Sequence, residues 1–263
     1  MTENITKEFV TSHTLMECLK EFSGAPNDPD TLKKYIEDHS LKGFREELLK
    51  MFEEANKLNS NKLNRKKEIF LTCVFQLLAA KMLYGGHFEI IGGGEIVRQI
   101  YIHTVEFYYH EEFNDDNAVH DYIVYHRNAL DGENKYPNTI DPFPIGSLNA
   151  HQSGIDITFE DQAGKYRASA LIRAYIVLEE GKEVIDKRST YLYDYLFMNA
   201  VLPVYICWKN TTIAPDTKLK VIRDQRKNVY EYEDKNGKLT IEKRKLKRQA
   251  KLDHRFWAFS KDK

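Results

Sequence analysis

"IYIHTVEFYYHEEF", residues 100–113, decides how the chain is read. Its apolar and aromatic residues recur with a period of two, which is the spacing of a strand rather than a helix. Alternation sets Val105, Phe107 and Tyr109 on one side and Thr104, Glu106 and Tyr108 on the other. A carboxylate in such a stretch is paired, hydrated in a cleft, or turned to solvent, because burying it alone costs too much. Glu106 is therefore either part of a site or plain surface.

Working outward, the same period predicts strands over 95–109, 119–127, 154–160 and 166–178. They are separated by "EEFNDDN", by the loop "NALDGENKYPNTIDPFPIGS" (128–147) and by "EDQAGK". The long loop holds three of the seven prolines, and ordered loops of that length tend to carry binding function. Residues 188–202 read as helical. Further strands are expected at "PVYICW" (203–208) and "LKVIRD" (219–224), then a hairpin turning at Asn236 and Gly237, then a closing strand in "DHRFWAFS".

Upstream of residue 85 the pattern is helical. "TLKKYIEDH" follows a Pro-containing turn, "SLKGFREELLKMFEEANKL" (40–58) carries apolar residues at three-to-four spacing with Ser40 as a candidate cap, and 67–84 is a more evenly apolar helix. The glycines of "YGGHFEIIGGGE" read as its end, and "GGG" (92–94) as a turn, with no phosphate-binding helix after it. The expected class is α+β: N-terminal helices followed by a curved, mostly antiparallel sheet. A helical extension covers 1–60, and one domain covers 61–263.

Composition narrows the classes. With 42% hydrophobic residues the chain has enough apolar material for a large core and is not a disordered segment. No apolar run is long enough for a membrane span, and the amino terminus lacks the pattern of a secretory signal, so no membrane association and a cytoplasmic location are expected. Cys18, Cys73 and Cys207 are far apart and form no CxxC pair, which points to ordinary thiols. The nine histidines form no HxxxH pair, so no metal is implied, and no cofactor either. Net charge is −1, but residues 218–255 hold fourteen Lys/Arg against six Asp/Glu, which is +8 and leaves −9 on the rest. Such a run is either a solvated face or a surface for DNA or another nucleic acid.

Two more segments carry candidate chemistry. In "GIDITF", Asp156 lies between Ile155 and Ile157 and should point away from their side of the sheet. In "ASALIRAYIV", Arg173 interrupts an apolar run, a place where an Arg usually has a carboxylate partner. Glu106, Asp156 and Arg173 can converge across neighbouring strands.

In order and spacing, "LLAAKMLYGG", "IHTVEFYY", "VHD", "GIDITF", "ALIRAY" and "HRFWAF" resemble the alkyladenine (3-methyladenine) DNA glycosylase family over residues 67–263. The resemblance implies that family's fold and cleavage of an N-glycosidic bond. By position, Glu106 would activate a water, Tyr108 would stack on the extruded base, His120 or His126 would contact that base, Asp156 would stand where the family has Asn, and Arg173 would hold water and phosphate near the glutamate. A carboxylate suits this reaction because positive charge develops on the sugar as the bond breaks. Aromatic walls suit a base taken out of the stack.

The chain departs from the family at the gap-filling tyrosine, where it has Asn149, and at a pocket aromatic, where it has Gly146. Phe143 or His151 can compensate, and His151 is also a candidate pocket residue. Three functions follow: a glycosylase-like hydrolase, a nucleic-acid-binding module without catalysis, and an N-glycoside hydrolase acting on nucleotides or single strands.

Overall fold

The computed structural model describes residues 63–112, 118–128, 141–144, 146–160, 163–198, 204–211, 213, 219–227, 229–233, 239–243, 251–252, 255 and 257–261. The helices expected at 31–39 and 40–58, and the whole extension 1–60, lie outside them.

One long helix, α1 (Leu63–Tyr84), lies on an antiparallel sheet. The sheet strands are β1 (Gly86–Gly92), β2 (Glu95–Glu111), β3 (Leu148–His151), β4 (Gly154–Thr158), β5 (Tyr166–Glu179), β6 (Lys182–Asp186), β7 (Val204–Asn210), β8 (Val221–Asp224) and β12 (Ala258–Lys261). Among the described residues a separate small sheet joins β9 (Val229–Glu233), β10 (Leu239–Lys243) and β11 (Lys251–Leu252). A 3-10 turn (Ser189–Tyr191) and the short α2 (Leu192–Phe197) stand between β6 and β7. Among the described residues the class is α+β with a curled antiparallel sheet and few helices, and these helices do not all precede the sheet. No helix among the described residues is long and apolar enough to cross a membrane.

The core forms between α1 and one sheet face. Phe75 of α1 stacks on Phe107 at 4.7 Å and meets Trp257 edge-on at 5.1 Å, and the Trp257 indole N–H donates to Thr72 Oγ1 at 2.8 Å. Leu71, Leu78, Ala79, Val105, Tyr109, Ile155, Ile172 and Phe259 complete a continuous apolar interior. A buried aromatic such as Phe107 contributes about 3–5 kcal/mol relative to Ala, so this stack is a principal anchor of the fold.

The sheet bends at one place, and the sequence pattern changes phase there. Up to Ile102 the residues of β2 that join the main apolar core are even-numbered (Ile100, Ile102); from Val105 they are odd (Val105, Phe107, Tyr109). β5 changes phase at the same level, from Tyr175 and Val177 to Ile172 and Ala170. The register shifts once between Ile102 and Thr104 and again between Thr104 and Val105, so one extra residue on each strand is absorbed at the level of His103 and Arg173. The sheet also forks there. Opposite β5, strand β2 pairs with β1 over 95–100 and with β12 over 104–106. Opposite β2, strand β5 pairs with β6 over 175–179 and with β4 over 169–171. Irregularities of this kind add twist and re-aim side chains.

Several expectations are corrected. Residues 119–127 are a run of turns, not a strand. Several backbone donors here and just after are met by side chains at the end of β2 rather than by a ladder: Val119 N–H donates to Glu111 Oε2 (2.9 Å), Asp121 N–H to His110 Nδ1 (3.1 Å) and Asn128 N–H to Glu112 Oε1 (2.9 Å). The "YGGHFEIIGGGE" glycines do more than end α1, because Gly86–Gly92 is a strand between β2 and β7. A Cβ on Gly86 would lie 2.4 Å from the Lys209 carbonyl, so only glycine allows that pairing. Gly93 and Gly94, at φ 64° and 88°, make the turn into β2.

Candidate functional site

Because of the phase change, Glu106 and Tyr108 leave the core side and share the opposite face of the sheet with Ser169, Leu171 and Arg173. Cross-strand register sets Asn149, Asp156, Leu171, Glu106, Ala258 and Asp224 in one row across β3, β4, β5, β2, β12 and β8. Residues 118–128 and the stretch after β8 cover this face. Val124, Val229 and Ile123 pack on Tyr108 and Leu171 as a second, smaller apolar cluster.

Glu106 is withdrawn from solvent, with 1% of its side chain exposed, and both of its oxygens are occupied. Oε2 accepts from Arg173 Nε at 2.5 Å and from the Tyr108 hydroxyl at 2.9 Å; Oε1 accepts from the Lys227 backbone N–H at 2.7 Å. Arg173 Nη2 donates to the Tyr108 oxygen at 3.2 Å, which closes a three-membered ring of charge-assisted bonds. The Arg173 side chain, 15% exposed, is the member of this ring that reaches water most. Burial, reinforced by the Glu106 charge, pushes the Tyr108 phenol well above its usual range, so Tyr108 acts as a donor at any ordinary pH. Burial works against the Arg173 cation, but Tyr108 and Glu106 outweigh it and raise its pKa further. The Arg226 guanidinium sits 5.0 Å from the Tyr108 ring centroid, so that ring is already partly covered.

A second buried network adjoins the first. Ser169 Oγ donates to Asp156 Oδ2 at 3.1 Å, His126 Nε2 lies 3.3 Å from Ser169 Oγ, and His126 Nδ1 is in contact with Glu160 Oε1. Glu160 Oε2 accepts from Arg167 Nη1 (3.1 Å) and the Phe143 N–H (2.8 Å), and Arg167 Nε binds Glu112 at 2.7 Å. On its other oxygen, Asp156 lies 3.1 Å from His151 Nε2. The order serine, histidine, carboxylate is that of a nucleophilic relay, but the proton directions oppose it. Ser169 has one hydrogen and gives it to Asp156, so it has none to give to His126 Nε2, and the order of a relay is not met. This network clamps residues 126–128 onto β5.

Of the residues expected in the site, Glu106, Tyr108 and Arg173 are bonded to one another. Asp156 lies in the same row two strands away, bonded to Ser169 and His151. Between the two histidine candidates, His126 belongs to this cluster and His120 does not. His120 stacks on His110 at 5.1 Å, and its carbonyl accepts from Arg255 at 2.9 Å. Asn149 is half-buried on β3 opposite Asp156. Gly146 occupies a turn at φ 76°, a conformation that disfavours an aromatic residue. Phe143 meets the His126 ring edge-on at 5.6 Å.

The basic segment 218–255 is not uniformly a solvated face. Arg226 and Arg255 are buried, and both guanidinium groups lie over Trp257, at 5.3 and 4.9 Å. Arg226 Nη1 donates to Asp121 at 2.5 Å and to the Phe107 carbonyl at 3.2 Å. Arg255 Nε donates to Glu68 of α1 at 2.8 Å. Ser169, Glu160 and Arg226 were missed in the sequence because a polar residue inside a strand or a basic run has no local signal of burial. Among the described residues no group of three or more His, Cys, Asp or Glu side chains is arranged to hold a metal ion. No family model, curated protein or solved structure matches the chain.

Proposed function

We propose that the chain is an N-glycosyl hydrolase of the alkyladenine DNA glycosylase type, acting on a damaged or modified base. The reading rests on the Glu106–Arg173–Tyr108 ring. A carboxylate that can activate water, with an arginine from a neighbouring strand and a tyrosine beside it, is a set of groups suited to glycosidic cleavage by water. In the reaction a water attacks the anomeric carbon, the bond from sugar to base breaks, and its electron pair leaves with the base. Glu106 takes the proton of the water and offsets the positive charge that develops on the sugar. Arg173 orients the carboxylate, and Tyr108 lines the side on which the base enters. The water takes a position on Glu106 now filled by the Lys227 N–H or the Tyr108 hydroxyl, so binding of substrate is accompanied by a local shift of 226–227 or 118–128.

Asn149 and Gly146 provide no bulky group to fill the gap left in a duplex, which favours an unpaired base, in a single strand or a nucleotide. Any nucleic-acid contact by 218–255 falls to its residues other than Arg226 and Arg255.

A second reading, binding without cleavage, is favoured by the full occupancy of both Glu106 oxygens. One assay separates the two. Wild type and Glu106→Gln are incubated with nucleotides and with single- and double-stranded oligonucleotides carrying alkylated or deaminated bases, and free base is quantified. Release that falls at least about a hundredfold in Glu106→Gln while binding persists supports hydrolysis. Binding with no release from any substrate selects the second reading. Release that survives Glu106→Gln removes the assigned role of the carboxylate.

A further inference from the structure

Tyr125 is 55% exposed on the irregular segment that covers Glu106, whereas its chain neighbours Val124 and His126 are buried. One face of its ring lies on the His151 imidazole, with centroids 5.2 Å apart and planes 17° apart. The imidazole cannot turn. Its Nδ1 accepts from the Ser153 N–H at 3.2 Å and its Nε2 faces Asp156 Oδ1 at 3.1 Å, with only 5% of the side chain exposed. Bonded at one nitrogen and set against a carboxylate at the other, the His151 ring is a flat, buried support.

We infer that Tyr125, backed by His151, is a stacking platform for an unpaired nucleobase of a single-stranded nucleic acid whose nearby nucleotide is delivered to Glu106. This rests on the proposed hydrolase reading for the identity of the ligand. The stack itself is a property of the fold: a planar ring with one face supported and the other open is suited to a planar partner. Because His151 fixes the ring in advance, stacking on it costs little conformational entropy. A base in a duplex has both faces already stacked, so only an unpaired base offers a face to Tyr125.

The spacing agrees. Asn149, Asp156, Leu171 and Glu106 are in register across β3, β4, β5 and β2, and three strand intervals of ~4.8 Å put β3 about 14 Å from Glu106. His151 is two residues further along β3. At ~3.4 Å per stacked nucleotide that gap spans about four nucleotides, and fewer in an extended strand. Asp156, held between His151 and Ser169, joins the platform to the face that carries Glu106.

The test uses the full chain and a fluorescein-labelled single-stranded oligodeoxyadenylate eight nucleotides long, with binding read by anisotropy at fixed salt. Loss of one base stack corresponds to about 1–3 kcal/mol, roughly a five- to 150-fold rise in Kd, so Tyr125→Ala should weaken binding about tenfold or more. Tyr125→Phe should remain within about twofold, and Tyr125→Leu, which keeps bulk but has no π face, should behave as Tyr125→Ala. Circular dichroism melts establish that each variant is folded, and Tyr125→Leu serves if the Ala variant is not. The inference is overturned if Ala and Leu bind as tightly as wild type, if Phe loses as much as Ala, or if the wild type does not bind the octamer. Repeating the series in the Glu106→Gln background separates this result from the hydrolase reading: the Tyr125 ratio persists there even if no base release is ever found.

Discussion

Arg226 donates to the Asp121 carboxylate at 2.5 Å, and neither side chain reaches solvent. The pair joins the irregular segment 118–128 to the start of the basic region, two stretches 105 residues apart in the chain. Breaking the pair from one side leaves only weaker partners for the other charge, Arg255 Nη1 at 3.7 Å for Asp121 and the Phe107 carbonyl for Arg226. Asp121→Asn or Arg226→Met should each lower unfolding free energy by about 3–5 kcal/mol, measured by urea denaturation. A double variant that costs much less than the two single losses together would establish the coupling; simple additivity would remove it.

The Glu106–Arg173 pair is asymmetric in exposure, so its two deletions should differ. Arg173→Met strands a carboxylate that has no route to water and should cost about 3–5 kcal/mol. Glu106→Gln leaves a guanidinium that is 15% exposed and can turn outward, and it should cost clearly less. Equal losses in the two variants would contradict the burial described for Glu106.

The Tyr108 phenol, raised by burial and then by Glu106, makes stability sensitive to alkali. In the unfolded chain a tyrosine loses its proton near pH 10, while the folded site keeps it. The contribution is therefore complete below about pH 10 and is lost as pH rises from there toward the folded pKa. Unfolding free energy should fall more steeply between about pH 10 and 11.5 in wild type than in Tyr108→Phe. Parallel slopes would show that the phenol is not held in this way.

His103, at the bend of β2, behaves in the opposite sense. Burial, then the charges of Lys261 and Lys187, lower its pKa, and its Nδ1 lies 2.9 Å from Thr104 Oγ1. The unfolded histidine gains a proton first as pH falls, so this contribution is complete above about 6.5 and declines as pH drops toward the folded value. The His103 imidazole resonance should titrate below about 6.5 in NMR, and His103→Gln should flatten the acid side of the stability profile. A titration midpoint at or above 6.5 would contradict the assignment.

The covering segment is held on its second flank by Glu160, which joins His126, Arg167 and the Phe143 N–H. In Glu160→Gln, amide exchange at Val124 and Asn128 should accelerate at least about tenfold while Val105 and Phe107 exchange as before. Acceleration spread evenly over β2 would indicate global loosening instead.

Much of the fold is legible in the chain. β2, β4, β5, the β9–β10 hairpin and the closing strand are marked by period-two patterns, and α1 by its evenly apolar run. The pairing of Glu106 with Tyr108 on one side, and the direction of Asp156 away from its flanking isoleucines, also follow from alternation. The segment 119–127 misled because "VHDYIVYHR" has the β-branched and aromatic content of a strand; backbone donors of Val119, Asp121 and Asn128 are met by Glu111, His110 and Glu112, partners that no local window contains. β1 was obscured by glycines, of which Gly86 is there because β7 approaches too closely for a side chain and Gly93 and Gly94 because the turn into β2 needs positive φ.

Alternation along each strand determined which residues share a face, because that is a property of a single extended backbone. Which face is buried, and where the phase reverses, was decided by the paired irregularity at His103 and Arg173, which exists only once β2 and β5 lie side by side. The same holds for the charges. Arg226 and Arg255 read as part of a basic run until packing against Trp257, Asp121 and Glu68 takes them out of water, and long-range electrostatics of that kind depends on distances that sequence order does not contain.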